Sequence, residues 1–199
     1  MTFLVVALQS EAQPLVRRFG LSACDRTEPF RLYQGDWQGG EVTLVVSGIG
    51  RVASAAASAY LFGRAGQPRE RPWINIGIAG HREEEVGRAY LAHKISEPAS
   101  ASSWYPRLVF DPPVPTAEVI TVDTPEETFA EPALYDMEAA GFFATASRFS
   151  RVELIHVLKV ISDTRESPVE RLTPAIVSGL IEQRLDAATE VLVEARKLS

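Results

Sequence analysis

Leu154-Ile-His-Val-Leu-Lys-Val-Ile-Ser-Asp-Thr-Arg165 is the stretch whose reading decides the fold. It begins as a run of aliphatic and β-branched residues, which reads as a buried strand. The run stops at Ser162-Asp163, where polar residues take over. An acid at the carboxyl end of a buried strand stands where open α/β sheets bind ligands. An acid there equally serves to cap a turn or a following helix. The stretch alone leaves both readings open.

The preceding segment, Leu134 to Phe149, is small and apolar after Glu138 and predicts a buried helix from near Met137. Glu138 then falls in its first turn, where the helix dipole favours an ionised carboxylate. A strand from about Val152 to Ile161 follows. One helix–strand unit thus delivers a carboxylate at a helix start and another at a strand end.

Three motifs here resemble the nucleoside phosphorylase and nucleosidase superfamily, and within it the methylthioadenosine/S-adenosylhomocysteine nucleosidases. Asp136-Met137-Glu138-Ala139-Ala140 is similar to the family's Met-Glu helix start. Lys159-Val-Ile-Ser162-Asp163 is similar to its Arg-Ala-Ile-Ser-Asp strand end. Val46-Ser47-Gly48-Ile49-Gly50-Arg51-Val52-Ala53 is similar to its Ser-Gly-Ile-Gly-Lys-Val turn. Asn75-Ile-Gly-Ile-Ala-Gly80 and Glu11 are weaker matches, and all five stand in the family's order from about Phe3 to Asp163. The resemblance implies a three-layer α/β/α domain around a central mixed sheet, phosphorylase/hydrolase-like. The alternation of strands and helices points the same way.

Bulk properties narrow the classes. A length of 199 residues suits a single domain, 1–199, with a substantial core. At 46% hydrophobic the chain is neither disordered nor an array of membrane spans. A net charge of −6 without a Lys/Arg cluster argues against nucleic acid or an anionic membrane as partner. A neutral nucleoside remains compatible. One cysteine, Cys24, excludes an intrachain disulfide and fits a cytoplasmic setting. Thr2 to Leu8 is apolar but too short to span a bilayer, and reads as the first strand.

Taken in order, the strand from about Phe3 to Leu8 leads to Glu11 and a helix striped by Ala12, Leu15, Val16 and Phe19. Glu11 by itself is an ordinary acid near a helix start. Phe30–Gln38 and Glu41–Val46 read as a hairpin across Gly39-Gly40. The second arm enters the Gly48/Gly50 turn and an alanine-rich helix to about Phe62. Gly48, Gly50 and Ala53 also fit a dinucleotide fingerprint, but earlier strands precede it and the usual downstream acid is missing. No cofactor is therefore expected. Pro72–Ala79 is the next strand. His81, His93 and His156 lack metal-ligand spacing, so no metal site is expected. His81 reads as a loop residue, and His156 as a satisfied core residue.

Gly87–Ile95 reads as a strand and is followed by a proline-broken stretch, Ala99–Thr116, with no helix. This stretch is shorter than its counterpart in the nucleosidases. Glu118–Asp123 is a short strand. It corresponds to the family strand that leads to the base, although Thr124-Pro125-Glu126 replaces the usual Ala-Phe-Ile. Ser167 and Glu170 have capping-box spacing. A long amphipathic helix then runs from near Thr173-Pro174.

The resemblance assigns roles. Asp163 becomes the general acid at the leaving base, and Glu11 activates the attacking water. Glu138, with Met137 beside it, holds the ribose. Gly48, Gly50, Ile78 and Lys159 form the nucleophile or phosphate region. Ser162, Asp123 and Phe129 form the base region. The chain departs from the family at Lys159, which replaces an arginine and loses its bidentate fork, and at Ile78, which replaces a serine. Three functions stay open: a nucleosidase using water, a phosphorylase using Arg51, Arg82 or Lys159 for phosphate, and a noncatalytic nucleoside-binding relative. A homo-oligomer, dimer or larger, is also implied by the family.

Overall fold

The structure, a computed structural model, describes residues 1–25, 27–167 and 169–199. Ten strands form one mixed sheet: β1 (Thr2–Val6), β2 (Ser22–Ala23), β3 (Arg31–Trp37), β4 (Gly40–Val46), β5 (Trp73–Gly80), β6 (Ala89–Glu97), β7 (Ser102–Trp104), β8 (Thr116–Thr121), β9 (Leu134–Asp136) and β10 (Ile155–Asp163). Five helices cover it: α1 (Gln9–Phe19), α2 (Arg51–Arg64), α3 (Ala139–Ala146), α4 (Pro174–Glu182) and α5 (Leu185–Lys197).

Central strands read as unbroken apolar runs because both faces are covered. Phe3 and Val5 of β1 point to the core shared with α2 and α3, while Leu4 and Val6 point to the core shared with α1, α4 and α5. In β10, Val157 and Ile161 alternate with Leu158 and Val160 in the same way. The layers are therefore helix, sheet, helix, as expected.

The sheet is not simply open. β5 pairs in parallel with β1 and β10, and β10 runs antiparallel to β6. β6 pairs with β8, β8 with β9, and β9 returns to β5 at Gly80 opposite Tyr135. Five strands thus close into a ring. Gly80 lies opposite both Tyr135 and Asp163, and Thr121 lies opposite Asp136. Strand ends distant in sequence meet at one rim.

Several boundaries differ from the sequence reading. Val152–Leu154 forms a 3-10 turn, with Leu154 N–H bonded back to Arg151, so β10 starts at Ile155. Leu134–Asp136 pairs as a strand, and Glu138 is the N-cap of α3, not a first-turn residue. The expected strand at Gly87–Ile95 sits two residues later. Ser102–Trp104 pairs with β6 inside the proline-broken stretch. β8 ends at Thr121, because Val122 N–H then bonds to Asp136 and the chain turns away. The carboxy-terminal helix is two helices, broken at Gln183-Arg184, where Arg184 reaches Gly87 O at 2.6 Å. Thr173 caps α4 by accepting from Ile176 N–H. Pro168, within the expected capping box, lies outside the described residues. Among the described residues no helix is long and apolar enough to cross a membrane.

Candidate active site

A cavity of about 370 Å³ opens at the rim where β5, β9 and β10 end. Glu11, Ile78, Met137, Glu138, Ser162 and Asp163 all line it, as does Phe129. The structure thus gathers residues separated by up to 152 positions, from Glu11 to Asp163.

Glu11 is buried and held by three backbone amides. Its Oε2 accepts from Ala7 N at 2.8 Å and Leu8 N at 2.9 Å, and its Oε1 from Ile78 N at 3.0 Å. Burial pushes its carboxyl above the usual range, while Lys159 and these amides pull it back. Glu138 Oε1 accepts from Gly50 N at 2.8 Å. That amide is presented by a turn in which Gly48 and Gly50 both have positive φ, 86° and 102°. Burial raises the Glu138 carboxyl to about 7, opposed by Lys159 and Gly50 and reinforced by Asp136 and Glu11. Asp163 ends β10 with its carboxylate accepting from the Ser162 hydroxyl. Burial raises its pKa, which the Ser162 bond opposes. Gly80 makes room for it: a Cβ there would lie 2.7 Å from both Asp163 Oδ2 and the Phe129 ring.

Lys159 lies beneath the cavity floor, fully buried. Its Nζ is 2.7 Å from Asp136 Oδ2 and 4.0 Å from Glu138 Oε2. Burial alone would depress it, but Asp136, Glu138 and Glu11 outweigh that and hold it above the ordinary lysine value. Lys159 and Glu11 also converge, since a Cβ on Gly77 would meet Glu11 Oε1 at 2.9 Å and Lys159 Nζ at 3.3 Å.

Other assigned residues stand elsewhere. Asp123 is exposed and does not line the cavity; its carboxylate binds Arg51, with Nε to Oδ1 at 2.8 Å. The turn after β8 points it outward, which removes it from the base region. Gly50 gives its backbone amide to Glu138 and Gly48 gives its own to the Ala7 carbonyl, so neither lines the cavity, while Ile49 between them reaches its wall. His81 is a loop residue, as expected; its Nδ1 accepts from the amides of Glu83 and Glu84. His156 is fully buried, and neither ring nitrogen makes a hydrogen bond of normal geometry among the described residues; the Glu153 carbonyl supports the ring only weakly, so the core histidine is not fully satisfied. The ring of Phe110 packs against it in a T-shaped pair, centroids 5.2 Å apart. Burial lowers its pKa to about 4 and keeps it neutral.

The sequence reading missed two residues. Glu126 lines the cavity, its Oε1 accepting from the amides of Thr128 and Phe129. Those bonds hold Phe129 at φ 45° against Tyr135. Asp136 is the more consequential omission. A lysine inside an apolar strand demands a buried carboxylate partner, and Asp136, two residues before Glu138, is that partner.

No protein-family model matches the chain, and a search of curated proteins returns no match. Solved structures do match. The 5′-methylthioadenosine nucleosidase of Arabidopsis thaliana superposes with a TM-score of 0.79 at 18% identity, over 98% of this chain and 95% of that one. A futalosine hydrolase of Helicobacter pylori gives 0.75 at 15% identity, over 97% of each chain. A 5′-methylthioadenosine/S-adenosylhomocysteine nucleosidase of Colwellia psychrerythraea 34H, solved with adenine, gives 0.72 at 20% identity, over 99% and 95%. The fold is that of these nucleosidases. The sheet and helix layers expected from the ordered motifs are those of these three structures, over nearly the full length of each chain.

Proposed function

We propose that this protein hydrolyses the N-glycosidic bond of a purine nucleoside, releasing free base and the ribose product. One observation carries the choice of water over phosphate. Five carboxylates line the cavity, those of Glu11, Glu126, Asp136, Glu138 and Asp163, and among the described residues no lysine or arginine does. Even with Asp163 protonated, a phosphate dianion would enter beside acids with no cation at the cavity wall to receive it. Arg51 is engaged by Glu97 and Asp123, Arg82 by Glu83, and Lys159 by Asp136. A neutral water suits the same surface.

Cleavage builds positive charge on the ribose and negative charge on the departing base. Asp163, raised by burial, carries the proton that the base takes as it leaves. In its ionised form, which gains as the pH rises past about 7, Glu138 accepts from the ribose hydroxyls and sits beside the developing cation. Glu11 lines the cavity and draws a proton from the water. A carboxyl raised by burial is a stronger base for that step. Phe129 and Ser162 flank Asp163 and supply the base wall.

The same reading places a second copy of the chain beside the cavity mouth. Ile49 and Val52 at the start of α2 are 59% and 78% exposed, and Ile49 belongs to the cavity wall. An apolar pair at a ligand-site rim suits burial by a partner. The expected setting is the cytoplasm.

The test is release of free base from methylthioadenosine, S-adenosylhomocysteine, adenosine, inosine and a pyrimidine nucleoside, with and without phosphate. Phosphate-independent release that collapses in Asp163→Asn supports the proposal. Release only with phosphate, or binding without release, overturns it.

A further inference from the structure

Asp136 lines the cavity, yet its oxygens are already committed. Oδ1 accepts from Thr121 Oγ1 at 2.7 Å. Oδ2 accepts from Ala139 N at 2.8 Å and Glu138 N at 3.2 Å, and lies 2.7 Å from Lys159 Nζ. Thr121 Oγ1 in turn accepts from Ala140 N at 3.0 Å. Asp136 and Thr121 together thus receive the amides that open α3, one of them the amide of Glu138 itself. A carboxylate with this many donors has little capacity left for a substrate hydroxyl. It is not built to touch substrate.

We propose that Asp136 is a positioning residue: it holds the Lys159 ammonium on itself and so leaves the carboxylates of Glu138 and Glu11 free to face substrate and water. This inference rests on the hydrolytic reading above. The distances carry it. The single buried cation of the cluster sits 2.7 Å from Asp136 but 4.0 Å from Glu138. Three acids, Glu11, Asp136 and Glu138, surround that one ammonium. Whichever acid it pairs with is neutralised and taken out of the chemistry. A buried ammonium cannot go without a partner, so a dedicated third carboxylate is what spares the two working ones from being neutralised by it. Asp136 is suited to the task because the α3 amides fix its position and the same amides fix that of Glu138.

The charged groups around Glu138 are few. Lys159 faces it from β10, Asp136 from β9 and Glu11 from α1. Asp163 from the end of β10 and Glu126 from the loop after β8 line the same cavity, and the turn before α2 presents the Gly50 amide. Replacing Asp136 by asparagine removes one negative neighbour and releases the ammonium toward Glu138. Both changes favour ionised Glu138. Replacing Lys159 by glutamine does the reverse.

The experiment follows the Glu138 carboxyl directly by carbon-13 NMR across a pH titration, with Glu138→Gln assigning the signal. Wild type, Asp136→Asn, Lys159→Gln and the double variant are compared. Asp136→Asn is expected to lower the Glu138 titration by about one to three pH units. Lys159→Gln should raise it, and the double variant should return near wild type because opposite charges leave together. The acidic limb of kcat/KM should move with the NMR signal in each chain. A Glu138 titration that stays fixed in Asp136→Asn, or moves the same way in both single variants, overturns the inference and leaves Asp136 a purely structural cap. Should Asp136→Asn not fold alone, the double variant must titrate below Lys159→Gln, and equality overturns the inference. The NMR readout needs no substrate, so an absence of base release would sink the hydrolytic reading separately.

Discussion

Gly141 lies within α3, where ordinary helix energetics favour alanine. Exchange of a helical glycine for alanine gains about 1 kcal/mol when nothing else intervenes. Here something does. A Cβ at position 141 would stand 2.0 Å from the carbonyl oxygen of Arg51 and 2.7 Å from its carbon. The obstacle is backbone at the start of α2, not the end of a flexible side chain, so the helices must separate by about 1 Å or more. Overpacking of this kind costs about 1–3 kcal/mol. The 2.8 Å bond from Gly50 N to Glu138 Oε1 spans the same crossing and lengthens with it. A hydrogen bond to a charged group is worth about 1.5–3 kcal/mol. Set against the helix gain, Gly141→Ala should destabilise by about 1.5–5 kcal/mol. Gly179 in α4 is the internal control, because a Cβ there meets nothing within 4 Å. Gly179→Ala should stabilise by about 1 kcal/mol. Denaturant midpoints measured at constant m report both. Base release should fall in Gly141→Ala alone, since only that change displaces Glu138. A Gly141→Ala chain as stable as wild type would refute the close-crossing argument.

Three further outcomes are expected. Asp163→Asn should lower kcat by about 10²–10⁴-fold, the usual worth of a general acid, in steady-state base release. Glu138 has a folded pKa of about 7 against 4.5 unfolded. Its contribution to stability is therefore complete below pH 4.5 and is lost as the pH rises through 7, ~3 kcal/mol in all. Glu138→Gln should be spared that loss, so its denaturation midpoint should gain on wild type between pH 4.5 and 8. His156 has the opposite sign, about 4 folded against 6.5 unfolded. Stability is lost as the pH falls from 6.5 towards 4, so His156→Leu, which also removes two poorly bonded ring nitrogens, should stabilise more at pH 5 than at pH 8. Thermal melts at the two pH values check this.

Much of this was legible in the chain because strand and helix patterns are local. β10 reads as a buried strand ending in an acid, and its alternation between two cores is written in consecutive residues. The turn before α2 is legible for the same reason. What escaped depends on closure. β9 is three residues long and takes its identity from pairing with β8 and with Gly80, which no local pattern announces. Asp123 was misplaced because the sequence marks a strand end without saying which way the next turn points. His156 shows a related limit: an apolar neighbourhood announces burial but not whether a ring nitrogen finds a partner.

Ring closure also explains why the chemistry concentrates where it does. An open sheet leaves the ends of β5 and β10 beside each other but gives neither a reason to receive β9. Joining β9 to β5 at Gly80 and Tyr135 brings Asp136 onto the end of the strand pair that carries Lys159 and Asp163. Without that joint the ammonium of Lys159 would be buried with only Glu138 and Glu11 to neutralise it, and one of them would be taken from the cavity. An apolar residue at position 159 would avoid the difficulty, since replacing a buried ion pair with apolar groups is often neutral or stabilising. A lysine kept there at that cost sets the charge of the two acids above it, Glu11 and Glu138, and the strand ring is the part of the fold that makes the arrangement tolerable.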